Sequence, residues 1–320
     1  MLLGFSSKNY KAFDERVSLD LAPITLLFGK NHAGKSALLR LLPFLADSFH
    51  ARARSPLNFD AAPLRGAGFS DILCNQSSSQ TLELELRCQE GQSRIQYREL
   101  EGAVQATRIS LLSQGHTFEV DWIHPGCYQD REEQVFRLQF QGPVPSQDGL
   151  PEPFQAMARS LHQLPRDVLW LEASREPLAR EIRAPHSTPW EIGSRGERAI
   201  AFCSQSSRVT ERVSGWYRQE FGLDFEIRRT AAFIRPVLTH PKTTRATPLS
   251  DSGEGFSQVL PVVTAWAMAH EEVGPKILCL EHPELHLHPD AHPSLARLFL
   301  QPPNRDVRLL VETHSENLLL

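Results

Sequence analysis

Ile24-Thr25-Leu26-Leu27-Phe28-Gly29-Lys30-Asn31-His32-Ala33-Gly34-Lys35-Ser36 decides the fold. Five apolar or β-favouring residues read as a buried strand covered on both faces. The next eight satisfy G-x-x-x-x-G-K-[ST], and apolar residues at helical spacing come after them: Leu38, Leu39, Leu41, Leu42, Phe44 and Leu45. Strand, glycine loop and helix in that order are the context a phosphate-binding loop requires. Glycines let backbone N–H groups converge on phosphate oxygens, and the helix start adds partial positive charge. Lys35 supplies a point charge, and the Ser36 hydroxyl is a ligand suited to Mg²⁺. Pro43 lies inside the helical pattern and predicts an early kink or end.

A second motif lies far downstream. Ile277-Leu278-Cys279-Leu280-Glu281 is an apolar strand ending in an acid. A parallel strand delivers such a residue to its C-terminal end, where ligands gather in open α/β sheets. There a carboxylate can hold Mg²⁺ directly or through water. Between the two motifs, Ser250-Asp251-Ser252-Gly253-Glu254-Gly255 precedes an apolar helix, which reads as a second anion cradle or an ordinary helix cap. His314 comes after the strand Leu309–Val311, where it could meet a phosphate or simply close a hydrogen bond. His282, His286, His288 and His292 invite a zinc reading, but Pro283 and Pro289 break any common helix and no cysteine cluster completes a tetrahedral set. They read as structural or nucleotide-adjacent histidines.

Composition sets the outer limits. The 320 residues carry 34 Lys and Arg against 38 Asp and Glu, so no bulk positive field drives nucleic-acid binding. Arg52, Arg54 and Arg65 form at most a local basic face. Five scattered cysteines, odd in number, predict reduced thiols and a cytoplasmic protein. There is no 18-residue apolar run to span a membrane. Residues 51–80 read as loop, 80–140 as an antiparallel β region with 81–88 an exposed strand, and 141–153 as a proline-rich connection. Residues 154–163 and 196–220 read as helices, and 168–174 as a buried strand.

Taken in order, the loop at 29, the Ser/Gly loop at 250, the acid at 281 and Thr313-His314-Ser315 resemble the ABC-type ATPase heads of the RecF, SMC and OLD superfamily. NYKAF, GEGFSQVLP, EHPELHLHP and ETHSENLL resemble the stand-alone bacterial AAA-family ATPases of that group. The resemblance implies an α/β P-loop fold with a mixed sheet, an antiparallel β subdomain and an inserted helical region. It implies one head over 1–320: a lobe at 1–50, an inserted β and helical region at 51–245, and the signature loop, Walker B strand and switch histidine at 246–320. Gly29, Asn31, Gly34, Lys35, Ser36 and Ala37 would hold ATP, with Ser36 and Glu281 serving Mg²⁺. Ser252, Gly253 and Gly255 would touch ATP held by a partner copy, and His314 would be the switch histidine. Gln76, or Asn75 beside it, is the Q-loop candidate. Two such heads would form a homodimer around two ATPs, in DNA transactions or phage defence beside an effector nuclease.

The sequence departs from that pattern at His282, where ABC heads place a catalytic Glu; Glu284 lies two residues on. The readings left open are a hydrolysing ATPase, an ATP-gated binding module with little turnover, and another P-loop enzyme such as a kinase or GTPase. The apolar end Leu318–Leu320 would need cover and predicts that the natural polypeptide continues past Leu320 or that this chain is a fragment.

Overall fold

The computed structural model describes residues 1–49, 55–187, 189, 191–243, 245–301, 303 and 306–318. Arg52 and Arg54 lie outside the described residues. The strands are β1 Leu2–Lys8, β2 Val17–Asp20, β3 Ile24–Leu27, β4 Leu82–Cys88, β5 Gly91–Leu100, β6 Ala103–Ser113, β7 His116–His124, β8 Cys127–Gln129, β9 Val135–Arg137, β10 Val168–Leu171, β11 Ile182–Arg183, β12 Asp224–Arg229, β13 Phe233–Thr239, β14 Ala246–Pro248, β15 Ile277–Glu281 and β16 Arg308–Glu312. The helices are α1 Lys35–Ser48, α2 Phe69–Ile72, α3 Glu152–Leu161, α4 Leu164–Asp167, α5 Ala199–Gln205, α6 Ser207–Phe221, α7 Glu254–Ala269 and α8 His292–Phe299. They fall into two compact units: Met1–Ala22 with Gly29–Val168, and Pro23–Phe28 with the chain from Leu169 onward.

The first unit holds an antiparallel sheet in the order β2-β1-β4-β5-β6-β7-β8-β9. β4 alternates as its sequence predicts, with Leu82, Leu84 and Leu86 buried. It is not an exposed strand, however, because β1 and β5 flank it. Glu85 on its polar face is only 6 % exposed. Arg16 and Arg94 pair with that carboxylate at 2.9 and 2.8 Å, which makes a charge tolerable there. Helix α1 runs unbroken through Pro43. The proline removes one backbone bond and costs about 3 kcal/mol. Leu39, Leu41, Leu42, Phe44 and Leu45 are fully buried, each contributing roughly 1.5–3 kcal/mol, so packing prevails.

The second unit carries a sheet in the order β10-β15-β16-β3, with β15, β16 and β3 parallel. β15 is buried throughout. β3 is only half-buried, and Phe28 beyond it is exposed, because β3 is the edge strand with a single neighbour. A smaller antiparallel sheet, β11-β13-β12 with β14 on β13, lies in the same unit. The helical reading of 196–220 resolves into α5 and α6. Ser206 ends the first and caps the second, its Oγ accepting from the Val209 N–H. The buried helix α7 packs with the parallel sheet in one core containing Val259, Val263, Trp266, Leu278, Leu280 and Leu309. No described helix is long and apolar enough to cross a membrane.

Candidate functional site

Parallel pairing aligns three strand ends. Glu281 of β15 faces Glu312 of β16, and Glu312 faces Leu27 of β3. The alignment persists beyond the strands: the His282 N–H donates to the Glu312 carbonyl at 2.8 Å, and the Thr313 N–H donates to the Leu27 carbonyl at 3.2 Å. Two segments of this unit therefore leave one end of the sheet, His282 onward and Thr313 onward, beside the end of β3 at Leu27.

Within the first unit, that loop is shaped by left-handed backbone. Gly29, His32 and Gly34 have φ of 148°, 64° and 88°. A Cβ on Gly34 would also sit 2.5 Å from Phe13 Cζ, so glycine is required twice over. Lys35 folds back, its Nζ donating to the Gly29 and Lys30 carbonyls at 2.9 Å each. The Leu38 N–H donates to the Gly34 carbonyl as α1 begins. Asn31 is exposed, while Ser36 and Ala37 are half-buried in the first turn of α1. Asn75 and Gln76 belong to this same unit, in an exposed turn after α2.

In the second unit, Glu281 is 1 % exposed. The Trp170 indole Nε1 donates to its Oε1 at 2.9 Å. Arg175, in the loop after β10, is equally buried, and its Nη2 donates to the Glu281 and His282 carbonyls at 2.9 and 3.2 Å. Its Nε and Nη1 have no hydrogen-bond partner among the described residues. Burial pushes the guanidinium down to about 10, against the pull of Glu284 and Glu281. His282 adopts a left-handed φ of 43°, a costly conformation for a residue with a Cβ. The bonds from its own N–H and to its carbonyl hold it there.

Glu284 anchors the start of the loop after β15. Its Oε1 accepts from Thr313 Oγ1 at 2.7 Å and from the His314 N–H at 3.2 Å. His282 Nδ1 lies 3.8 Å from the same carboxylate, and His282 Nε2 lies 3.8 Å from Glu312 Oε1. Pairing with Glu284 raises the His282 imidazole above its usual range, with burial opposing. Burial pushes the Glu284 carboxyl up, but bonds to His282 and Thr313 outweigh this and leave it lowered. The His282 and His314 rings lie 4.9 Å apart with planes 15° apart.

Known proteins share this geometry's scaffold. A solved SMC head bound to the C-terminal winged-helix domain of ScpA aligns with 99 % of this chain and 90 % of its own, at TM-score 0.59 and 11 % identity. An Smc head with an extended coiled coil, bound to the C-terminal domain of ScpA derived from Pyrococcus furiosus, aligns over the same shares at TM-score 0.52 and 9 % identity. The fold is that of the SMC head domains. Residues 169–320 of this head match the family described as "AAA domain, putative AbiEii toxin, Type IV TA system". No curated protein matches the chain.

The second unit of the head gathers Glu281, His282, Glu284 and His314. Ser252, Gly253 and Gly255 begin α7 in the same unit. Gly253 has a φ of 103°, Ser252 Oγ donates to the Pro248 carbonyl at 2.9 Å, and Glu254 occupies the helix's first turn. A Cβ on Gly255 would lie 2.7 Å from the His286 carbonyl oxygen, so the start of this helix abuts the loop after β15. Among the described residues, the remaining histidines form no further cluster of metal-ligating groups. His292 is engaged by Ser315 Oγ at 2.7 Å and the Leu287 carbonyl at 3.2 Å, and His288 accepts from the Asp290 N–H. Ser315 precedes a short 3-10 turn, Glu316–Leu318.

Sequence reasoning missed Arg175 and Trp170. The signal applied to Glu281, an acid ending an apolar strand, picks out Glu172 after VLWL and not these two; Trp170 lies inside the strand and Arg175 four residues beyond its end.

Proposed function

We propose that this chain binds ATP with Mg²⁺ and hydrolyses it, as half of a homodimer that sandwiches two nucleotides. The observation that carries the reading is the register Leu27–Glu312–Glu281, which brings Glu281 and the Thr-His-Ser segment to the same end of the sheet as the last residue of β3, the strand that precedes the glycine loop in sequence. The backbone N–H groups from Gly29 to Ala37, Lys35 and, from the family pattern, Gln76 serve the nucleotide. The donor set fits a hard cation: the Ser36 hydroxyl and the Glu281 carboxylate are both oxygen ligands. Bound there, Mg²⁺ would neutralise charge on the phosphate oxygens.

His282 is the water-activating base. Its imidazole takes a proton from water as the water oxygen bonds to the γ-phosphorus and the β–γ bridging bond breaks, releasing ADP and phosphate. Glu284 orients that imidazole, and His314 and Lys35 stabilise charge on the transferred group. Ser252, Gly253 and Gly255 serve the partner copy's nucleotide across a two-fold interface. The second reading, an ATP-gated clamp with little turnover, is favoured by one observation: a histidine stands where heads of this kind place a glutamate. We place the activity in defence or DNA transactions, with an effector nuclease as partner and the cytoplasm as its compartment.

Phosphate release by the purified protein, read beside its mass in solution, tests both readings. Turnover abolished by Lys35→Ala, with a dimer formed in ATP, supports hydrolysis. An ATP-induced dimer without phosphate release supports the clamp. A monomer with no release refutes both.

A further inference from the structure

His282 Nε2 and Glu312 Oε1 stand 3.8 Å apart, too far for a hydrogen bond. The spacing suits two atoms flanking a metal, since tetrahedral bonds of about 2.0–2.2 Å leave neighbouring ligand atoms roughly 3.3–3.6 Å apart. His314 completes the set: one ligand atom from each of His282, Glu312 and His314 lies within 4.8 Å of the others. Two imidazoles and a carboxylate are donors for a first-row transition ion, whereas Mg²⁺ prefers oxygen alone. Behind His282, on its Nδ1 side, sits the Glu284 carboxylate, fixed by Thr313 and the His314 N–H. A carboxylate–histidine–metal line is the arrangement that fixes the ring and raises its basicity as a ligand. Glu312 is 2 % exposed and held by β16, and His282 is held in its left-handed conformation, so these two are pre-placed. His314 is exposed, and its ring lies nearly parallel to that of His282, so aiming both lone pairs at one ion requires the His314 side chain to turn.

We propose that His282, Glu312 and His314 form a three-ligand site for one divalent transition-metal ion of the Zn²⁺ class, distinct from the Mg²⁺ of the nucleotide, and that filling it stops turnover by occupying His282. The fourth coordination position stays open to water. The binding half stands by itself; the inhibitory half rests on His282 being the base.

The test is titration of the nucleotide-free full chain with Zn²⁺ by calorimetry, repeated with Co²⁺ by visible absorption. One equivalent of Zn²⁺ and a tetrahedral Co²⁺ band are expected. Affinity falls at least about 100-fold in His314→Ala, an exposed position where folding is not at stake, and about 10–100-fold in Glu284→Gln. His288→Ala leaves it unchanged. Absence of saturable binding, binding untouched by His314→Ala, or loss in His288→Ala instead would each overturn the site. Phosphate release is then measured in Mg-ATP with and without one equivalent of Zn²⁺. Inhibition that Glu312→Gln relieves, at a ligand outside the proposed catalytic set, supports the regulatory half. Zn²⁺ bound at this site with turnover intact overturns that half and the assignment of His282 as base, while the metal site stands.

Discussion

Replacing Arg175 with Met tests the packing behind the candidate site. The guanidinium donates through Nη2 to the Glu281 and His282 carbonyls. It is also the buried cation facing Glu281 and Glu284. Hydrogen bonds from a charged group contribute about 1.5–3 kcal/mol each. Removing one member of a buried charged set costs about 3–5 kcal/mol, because its partners remain uncompensated. The two figures describe overlapping losses, so we take about 3–5 kcal/mol for the whole change. At roughly 2–4 °C per kcal/mol for a domain of 150–250 residues, Arg175→Met lowers the melting temperature by about 6–20 °C. Calorimetry reads this directly. Arg175→Lys recovers less than half, since a compact ammonium does not reproduce the guanidinium fork. The double variant Arg175→Met/Glu284→Gln is more stable than additivity allows, because the second change removes the stranded charge. A melting temperature within about 2 °C of the parent, or strict additivity in the double variant, would refute the argument.

Three further outcomes are expected from other contacts. Gly34→Ala places a Cβ 2.5 Å from Phe13 Cζ at a φ of 88°; it should cost about 1–3 kcal/mol in urea unfolding and abolish binding of a fluorescent ATP analogue. Trp170→Phe keeps an aromatic ring in place of the indole but removes the Nε1 donor from Glu281; a loss of about 1.5–3 kcal/mol is expected, and an unchanged urea midpoint would show that the bond contributes nothing. Glu220 on α6 pairs with Arg297 of α8. Burial raises its carboxyl, but the Arg297 bonds outweigh this and hold it below its usual value. Its contribution is therefore fully present above the unfolded-state pKa of about 4.3 and fades as pH falls through the lower folded value. The stability gap between the parent and Glu220→Gln should close on acidification; a gap that widens would reverse the sign of this account.

Local chemistry made much of this fold legible in its sequence. The glycine spacing of the loop at Gly29–Ser36 is legible, and Gly34 shows one reason for it: the position is restricted by both backbone and neighbour. Alternation exposed the antiparallel sheet, and an apolar run ending in an acid exposed β15. Features that depend on partners were not legible. β4 reads as exposed because Glu85 is charged, yet Arg16, Arg87 and Arg94 neutralise it. β3 reads as buried because it is apolar, yet its place at the sheet edge is a property of strand order. Pro43 reads as a stop, and burial on both sides of it overrides the lost bond. Glu312 contacts His282 only because β15 and β16 are neighbours, a pairing that no spacing in sequence records.

The most direct test of the central claim is steady-state phosphate release by His282→Ala and His282→Glu, with ATP affinity measured on the same preparations. The account predicts that His282→Ala binds ATP as the parent does but turns over about 10²–10⁴-fold more slowly, and that His282→Glu retains turnover. His282→Ala releasing phosphate at the parent's rate would contradict it.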